Sequence, residues 1–203
     1  MWAADLRAWG PPPAGLPVDV REVVSGSEGP IEAAMGAEGD LVALRLARGC
    51  RCFAAWLGTD VVAYAWLSTQ SEWIGEIELE IRPPAGEAYI WNCVTLPAHR
   101  RQGFFLAVLL SITSRLKDEG LVRLWIGSVE HPAENAVGDA GFMPVLRFTA
   151  ASPRRPRWLR GFAVSAADGA DAGLVEAGRL VMANGARPLR LGYSVGRARS
   201  RRH

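Results

Sequence analysis

Residues 95–105, with the sequence TLPAHRRQGFF, hold the side chains in this chain that are best suited to chemistry. An apolar run precedes them and an amphipathic run follows, so they predict a strand, a short basic loop and a helix start. The loop carries Arg100, Arg101 and Gln102, and Gly103 permits close approach of the backbone. Amide N–H groups at a helix start attract anions. This stretch therefore predicts a phosphate-binding loop.

The same residues resemble the acyl-CoA-binding motif of the GNAT acyltransferase superfamily. In that motif a glutamine or arginine is followed by a glycine three residues later and by a small residue two further on. Arg100 and Gly103 match the first two positions, and Phe105 departs from the third. The resemblance implies that loop amides hold the pyrophosphate of acetyl-CoA. The cofactor-binding residues implied are Arg100, Arg101, Gln102, Gly103, Phe104 and Phe105.

A second segment, residues 131–142, resembles the next helix of the family and ends in Ala-Gly-Phe. Asn135 in this segment is implied to support bound CoA by hydrogen bonding. Many members place a tyrosine here that protonates the departing thiolate, but that position falls near Val137. A water molecule, His131 and Cys93 stay open as the acid. The resemblance spans residues 50–150, and the chain is identified as a divergent member.

Residues 88–96 form the strand before the loop. In the superfamily this strand splays from its neighbour, and the acyl thioester lies in the opening. The resemblance implies that backbone groups of Asn92, Cys93, Val94 and Thr95 hold the pantetheine arm. Freed N–H groups there polarise a thioester carbonyl, which makes Asn92 a candidate catalytic position.

Residues 73–81 alternate between acidic and apolar side chains, so Glu76, Glu78 and Glu80 share one face of a predicted strand. A solvated face explains this pattern without any chemistry. Alternatively, a carboxylate here binds a cationic amine, and repulsion between neighbouring carboxylates favours the proton uptake that a general base requires. Glu78 and Glu80 are therefore candidate catalytic residues.

The remaining pattern predicts elements that would position these residues. Residues 50–57 and 61–67 form a hairpin, 18–24 a first strand, and 30–47 one helix or two short ones. Apolar spacing of three and four predicts a helix over residues 104–119, which Gly120 ends. The resemblance implies an α/β (α+β) fold with a mixed, mostly antiparallel central sheet flanked by helices.

Three regions are expected along the chain. Residues 1–17, which contain three consecutive prolines, predict an irregular leader. Residues 18–150 would form the acyltransferase-like domain. Residues 151–203 would form a basic extension with a further strand, a further helix and a disordered end. This extension has three open roles: covering the acceptor site, mediating a homodimer, or lying over the sheet.

Composition sets the broad class of the protein. The chain has 203 residues, of which 49% are hydrophobic and 22% charged, as in a soluble globular domain. No apolar run is long enough to cross a membrane, and the first residues resemble no secretion signal, so a cytoplasmic location is expected. Three cysteines predict buried thiols, with no disulfide framework and no metal site.

The formal charge of +2 hides a basic C-terminal end. Residues 151–203 carry eleven arginines and three acids. A nucleic-acid contact would use such a surface, but only Tyr193 is interleaved with the last arginines. The sequence favours a solvated tail over a nucleic-acid partner.

Taken with the resemblance, these features predict an acetyl-CoA-dependent N-acyltransferase that acts on a primary amine of a small molecule or peptide. The predicted partners are acetyl-CoA, as acyl donor, and an amine acceptor that the sequence does not identify. The alternative is a degenerate domain that binds CoA or a protein partner without catalysis.

Overall fold

The computed structural model describes residues 1–10, 18–74, 79–127, 131–150 and 162–182. The strands in these ranges are β1 (Trp2–Asp5), β2 (Asp19–Glu22), β3 (Arg51–Leu57), β4 (Asp60–Ser68), β5 (Glu72–Ile74), β6 (Leu79–Ile81), β7 (Glu87–Thr95), β8 (Arg123–Ile126), β9 (Met143–Pro144), β10 (Leu146–Ala150) and β11 (Phe162–Ala166). The helices are α1 (Gly29–Met35), α2 (Val42–Ala47), α3 (Phe104–Asp118), α4 (His131–Asp139) and α5 (Ala172–Val181).

One sheet of seven strands organises the structure, in the order β2-β3-β4-β7-β8-β1-β9. Neighbouring strands run antiparallel except β7 and β8, which are parallel. The parallel pair needs a long crossover, and the loop and α3 supply it. The predicted mixed, mostly antiparallel sheet flanked by helices is confirmed.

The side chains of β3 and β4 alternate between the two faces of the sheet. Phe53 and Ala65 pack with α3 and α4 in the main core, where Ile112 and Leu116 of α3 are fully buried. On the opposite face lies a second cluster, formed by residues of β3 and β4 with α1 and α2. Its buried members are Val23, Ile31, Met35, Val42, Cys50, Cys52, Ala54, Val61, Tyr64 and Trp66. The sheet is therefore the middle of three layers.

The region between β2 and β3 consists of short helical pieces. α1 and α2 are separated by a 3₁₀ turn over Gly36–Leu41, and Gly36 at the end of α1 adopts a positive φ of 58°. This is the two-helix alternative that the glycines allowed. The turn brings Glu38 of the 3₁₀ segment and Arg45 of α2 close together, with 2.9 Å between carboxylate and guanidinium.

The prediction of an irregular segment over residues 1–17 is wrong for Trp2–Asp5, which form a strand inside the sheet. β1 pairs antiparallel with β8, with Trp2 opposite Ile126, and also with β9. Ala3 and Ala4 are buried there. The indole of Trp9, just after the strand, donates to the Ala140 carbonyl at 3.0 Å and so ties this end to α4. Residues 11–17 lie outside the described residues.

The single strand predicted over residues 73–81 is also wrong. β5 and β6 are two antiparallel strands that pair with each other, with Trp73 opposite Glu80, in a sheet of their own. Directly opposite residues share a face, so Trp73 lies on the same face as Glu80, and the predicted acidic and apolar faces do not continue across the two strands. Residues 75–78, including the candidate Glu78, lie outside the described residues.

The C-terminal end is described in part. β10 and β11 form a separate hairpin, and α5 packs near β6 through a bridge between Ile81 and Met182. Residues 151–161 and 183–203, with most of the arginines of the basic extension, lie outside the described ranges. Their predicted roles and the domain division stay predictions. None of the helices described has the length and apolar character that a membrane span requires.

Candidate active site

A bulge interrupts β7 near the middle of the sheet. Tyr64 of β4 lies opposite Val94, whereas Trp66 lies opposite Trp91. An advance of two residues along β4 is therefore paired with an advance of three residues along β7. The extra residue puts Asn92 at φ 43°, a left-handed conformation that asparagine tolerates better than most residues. Bulges re-aim side chains and disturb strand pairing. This one bends β7 at the position that the resemblance marks for the thioester.

Beyond the bulge, β7 has a free edge. Its parallel pairing with β8 extends only to Ile90, opposite Ile126, where β8 ends. β7 continues to Thr95, and no strand in the described ranges pairs with this edge after Ile90. The N–H and C=O groups of residues 91–95 on this edge therefore have no partner strand in the described ranges, and we call this edge the slot. An extended ligand that contains amides can bind such an edge as an added strand.

The slot leads into the basic loop. Pro97–His99 forms a 3₁₀ turn, after which Arg100 is extended and Arg101 has a positive φ of 62°. Nε of Arg100 donates back to the Thr95 carbonyl at 3.3 Å, so the loop is tied to the end of β7. Arg100 and Arg101 are both exposed. Two guanidinium groups are thus available to an anion beside the open edge.

Gly103 makes the transition from loop to helix. Its φ of 82° is a left-handed conformation that favours glycine, and α3 starts at the next residue. The first helical hydrogen bond joins the Ala107 amide to the Gly103 carbonyl at 3.0 Å. The amides of residues 104–106 precede it and have no partner within the helix. Together with the positive helix end, these amides suit a phosphate group.

Phe105, the residue that departs from the motif at its third position, lies at the start of α3. Phe105 is half-buried and packs against the main core, and Phe104 beside it is only 6% exposed. The ring of Phe104 also contacts His99 edge to face, with 6.0 Å between centroids. Both phenyl rings therefore add their bulk to the core packing of α3.

Reasoning from the sequence missed an ion pair beside the bulge. The guanidinium of Arg45 is buried and lies over the rings of Trp66 and Trp91, at 5.1 and 4.6 Å from their centroids. Its Nη2 donates to Oε2 of Glu38 at 2.9 Å, and Nδ2 of Asn92 donates to the same oxygen at 3.1 Å. A carboxylate is thereby fixed to the bulge. The only local sequence signal is one arginine in the apolar segment VALRLA.

Two protonated groups lie at the same place. Burial, followed by the negative charge of Glu38, raises the pKa of Tyr64 to about 12. Burial raises the pKa of Cys93 to about 12 as well. Both groups keep their protons near neutral pH, so Cys93 is a poor nucleophile. Tyr64, which the sequence analysis did not single out, adds a phenol to the predicted candidates for the acid.

The other predicted residues belong to elements other than β7. Glu80 is on β6, outside the large sheet, and accepts from Arg82 at 2.7 Å. It makes no hydrogen bond to β7 in the described part of the chain. Asn135 is exposed on α4, and His131 begins that helix. The roles assigned to these residues stay predictions.

No group of three or more metal-binding side chains occurs among the residues that the structure describes. The cysteines are unpaired thiols: Cys50 and Cys52 are buried and Cys93 is half-buried. The arrangement around the bulge thus offers main-chain groups, cations and one fixed carboxylate. It can hold an extended anionic ligand along β7 and a second, cationic ligand beside it.

The sheet, the bulge and the loop define a fold of the acyl-CoA-dependent transferase type. Over residues 27–142, more than half of the chain, the sequence matches the model of the Acetyltransferase (GNAT) family. The chain belongs to the GNAT acetyltransferase family. The matched range contains the bulge, the open edge, the loop and α3. Among curated proteins, none matches the sequence.

Several solved structures share part of the fold. A GCN5-related N-acetyltransferase from Kribbella flavida is 18% identical with a TM-score of 0.48, covering 70% of this chain and 52% of its own. A Trypanosoma brucei acetyltransferase is 15% identical with a TM-score of 0.47, covering 69% and 97%. A GNAT family acetyltransferase from Brucella melitensis, in complex with acetyl-CoA, is 15% identical with a TM-score of 0.45, covering 74% and 96%. The family assignment rests on the sequence match, not on these partial overlaps.

Proposed function

We propose that this protein transfers an acyl group, most simply acetyl, from acetyl-CoA to a primary amine of a small molecule or peptide. The observation that carries the proposal is the continuity of the site. The free edge of β7 after Ile90 runs without interruption into the basic loop and the start of α3. In a CoA ester the acyl thioester is followed by a pantetheine arm that contains amides, and the arm is followed by a pyrophosphate. Edge and loop match it in that order.

In this proposal the backbone of residues 93–95 binds the pantetheine arm as an added strand. The amides of Gly103, Phe104 and Phe105, with Arg100 and Arg101, hold the pyrophosphate. Because the N–H groups of the loop belong to the main chain, any side chain that leaves the loop geometry intact is tolerated at these positions. Phe105, packed on the core, meets that condition.

The proposed chemistry is direct transfer. The amine attacks the thioester carbonyl as a free base, a C–N bond forms, the C–S bond breaks, and CoA leaves as the thiolate. The proton lost by the amine passes to water, and the thiolate is protonated by water or by a neutral acid such as Tyr64. Placing the two reactants together supplies most of the rate enhancement in such a reaction.

Calorimetric titration with acetyl-CoA tests the donor site, and release of free CoA thiol in the presence of amines tests the reaction. The panel comprises an alkylamine, an arylalkylamine, an amino acid amide and a short peptide. Binding in the micromolar range together with CoA release by at least one amine is expected. Failure to bind acetyl-CoA at any accessible concentration would refute the proposal.

A second candidate function is a domain that binds CoA without turnover. The observation in its favour is Val137, which stands near the family's tyrosine position and is fully buried, so no side-chain acid reaches the site from α4 there. The two candidates differ in one result. Tight CoA binding without thiol release from any acceptor, including hydroxyl compounds, supports the binding domain.

A further inference from the structure

The carboxylate of Glu38 is held on one side and free on the other. Oε2 accepts from both Arg45 and Asn92, at 2.9 and 3.1 Å. Oε1 accepts no hydrogen bond from any residue in the described ranges, and the Glu38 side chain is 47% exposed. The partner guanidinium lies behind it with only 8% of its side chain exposed. A ligand arriving from solvent therefore meets the negative oxygen and not the arginine.

The position of this oxygen relates it to the open edge of β7. Asn92 is the residue at which β7 bulges, and it lies within residues 91–95, which form the slot. Its side-chain amide, which donates to Glu38, therefore links the carboxylate to the place where an acyl group bound along the slot would end. No other carboxylate in the described ranges makes a hydrogen bond to a residue of β7 beyond Ile90.

The chain around Glu38 strengthens the local negative potential. Between Gly26 and Leu44 it carries Glu28, Glu32, Glu38 and Asp40 and no lysine or arginine. All but Glu28 have exposed side chains. α1 and the 3₁₀ turn thus present acids to solvent on the layer that holds Glu38, and an excess of negative charge attracts cations and repels anions.

We propose that Glu38 is the acceptor-recognition residue of this protein: its Oε1 binds the ammonium group of a cationic amine at the β7 bulge. This inference rests on the proposed acyltransferase function. Arg45 and Asn92 are positioning residues, because they fix the carboxylate and leave one oxygen free. The site selects cationic amines over neutral alcohols and over anionic acceptors, and recognition precedes loss of the amine proton to water.

A pair of CoA thioethers tests the proposal without knowledge of the natural acceptor. S-aminopropyl-CoA carries an ammonium group at the end of its S-alkyl chain, and S-butyl-CoA is its neutral isostere. CoA binding brings both chain ends to the bulge. For a carboxylate that is about half exposed, a charge-assisted hydrogen bond discounted for solvent gives about three- to tenfold tighter binding of the cationic thioether.

The variant Glu38→Gln keeps an oxygen acceptor for Arg45 and Asn92 but removes the negative charge. The matched control is Glu32→Gln, which removes the same charge from the neighbouring α1, where the exposed carboxylate has no hydrogen bond in the described ranges. Thermal melts establish that each variant is folded. If E38Q melts far below wild type, Glu38→Asp is used as the test variant instead. Aspartate keeps the negative charge but places it one methylene further from the ligand.

Wild type and E32Q are expected to bind S-aminopropyl-CoA more tightly than S-butyl-CoA. This preference should be lost in E38Q and reduced in E38D. The affinity for S-butyl-CoA should be the same in all four proteins. Equal affinity of the two thioethers for wild type would overturn the role of Glu38 while leaving the acyltransferase proposal intact. Retention of the preference in E38Q would overturn it as well. Failure of both thioethers to bind would instead overturn the proposed function on which the inference rests.

Discussion

Replacing Gly103 with alanine places a Cβ on a backbone with φ 82°, immediately before the first residue of α3. Gly120, just past the other end of the same helix, has φ 84°, and a Cβ added there meets nothing within 4 Å. The two substitutions impose the same backbone strain on one helix. Only the first lies in the proposed phosphate loop.

The cost to stability should be similar at the two glycines. An alanine in the left-handed region costs about 1–2 kcal/mol. For a domain of this size each kcal/mol lowers Tm by about 2–4 °C, so each variant should melt about 2–8 °C below wild type. Neither loss is large enough to unfold a protein of ordinary stability.

The effect on ligand binding should differ sharply. Alanine at residue 103 relieves its strain by rotating φ toward negative values, which turns the flanking amide N–H groups away from a common point. One hydrogen bond from an amide to a charged phosphate is worth about 1.5–3 kcal/mol. Loss of one such bond weakens acetyl-CoA binding by about 10- to 150-fold. Gly120→Ala should leave Kd within about twofold of wild type.

Calorimetry at a temperature below both melting transitions measures the three Kd values, and scanning calorimetry on the same samples measures Tm. A Gly103→Ala protein that loses stability as expected but binds acetyl-CoA like Gly120→Ala would refute the phosphate role of the loop. Equal loss of affinity in both variants would show that helix stability, not loop geometry, controls binding.

Two further perturbations separate packing from chemistry. Phe105→Ala should cost about 1–3 kcal/mol of stability, because the half-buried ring packs on the core, and should leave the acetyl-CoA Kd within about twofold; a tenfold change in Kd would place the ring in the ligand site instead. Burial, with the Glu72 carboxylate beside it, raises the pKa of Cys50 from 9.0 to about 11, so the unfolded chain loses this proton first as pH rises. Stability should therefore fall between pH 9 and 11, by up to about 3 kcal/mol from this thiol. Urea denaturation of wild type and Cys50→Ala across that range measures how much of the pH dependence comes from the Cys50 thiol. If the stability of both proteins falls in parallel with pH, Cys50 does not contribute.

Elements with a strong local pattern could be predicted from the sequence. The hairpin of β3 and β4 follows from two apolar runs around Gly58, which adopts a positive φ of 62° in the turn. α3 follows from its apolar spacing, and its predicted end agrees with the observed bounds to within one residue. In each case neighbouring residues decide the structure, so a pattern over a short window is sufficient.

Elements that depend on distant partners could not be predicted. Trp2–Asp5 is short and carries no clear alternation, and it becomes a strand because β8 and β9 bind it from either side. The prediction over residues 73–81 failed for a different reason. Alternation indicates that a segment is extended but does not identify its partner, and here β5 and β6 pair with each other, with Trp73 opposite Glu80.

The candidate site also has a part that could be predicted from the sequence and a part that could not. The loop from Arg100 to Gly103 is contiguous in sequence, so its residue types alone indicate a phosphate site. The contacts among Glu38, Arg45 and Asn92 join three separate elements, and the sequence holds no signal that pairs them. The left-handed conformation of Asn92 arises from the mismatch with β4 and is equally invisible in one strand alone.

The place of β1 in the sheet has a consequence for biosynthesis. Ribosomes make β1 well before its partner strands, because Ile126 lies opposite Trp2 and Met143 lies opposite Ala3. Contacts so far apart in sequence form slowly, because a long loop must close before they stabilise anything. Throughout that interval the backbone groups of β1 have no partner strand. An unpaired strand edge is open to pairing with other chains, so partly synthesised chains are expected to be more prone to aggregation than the complete sheet.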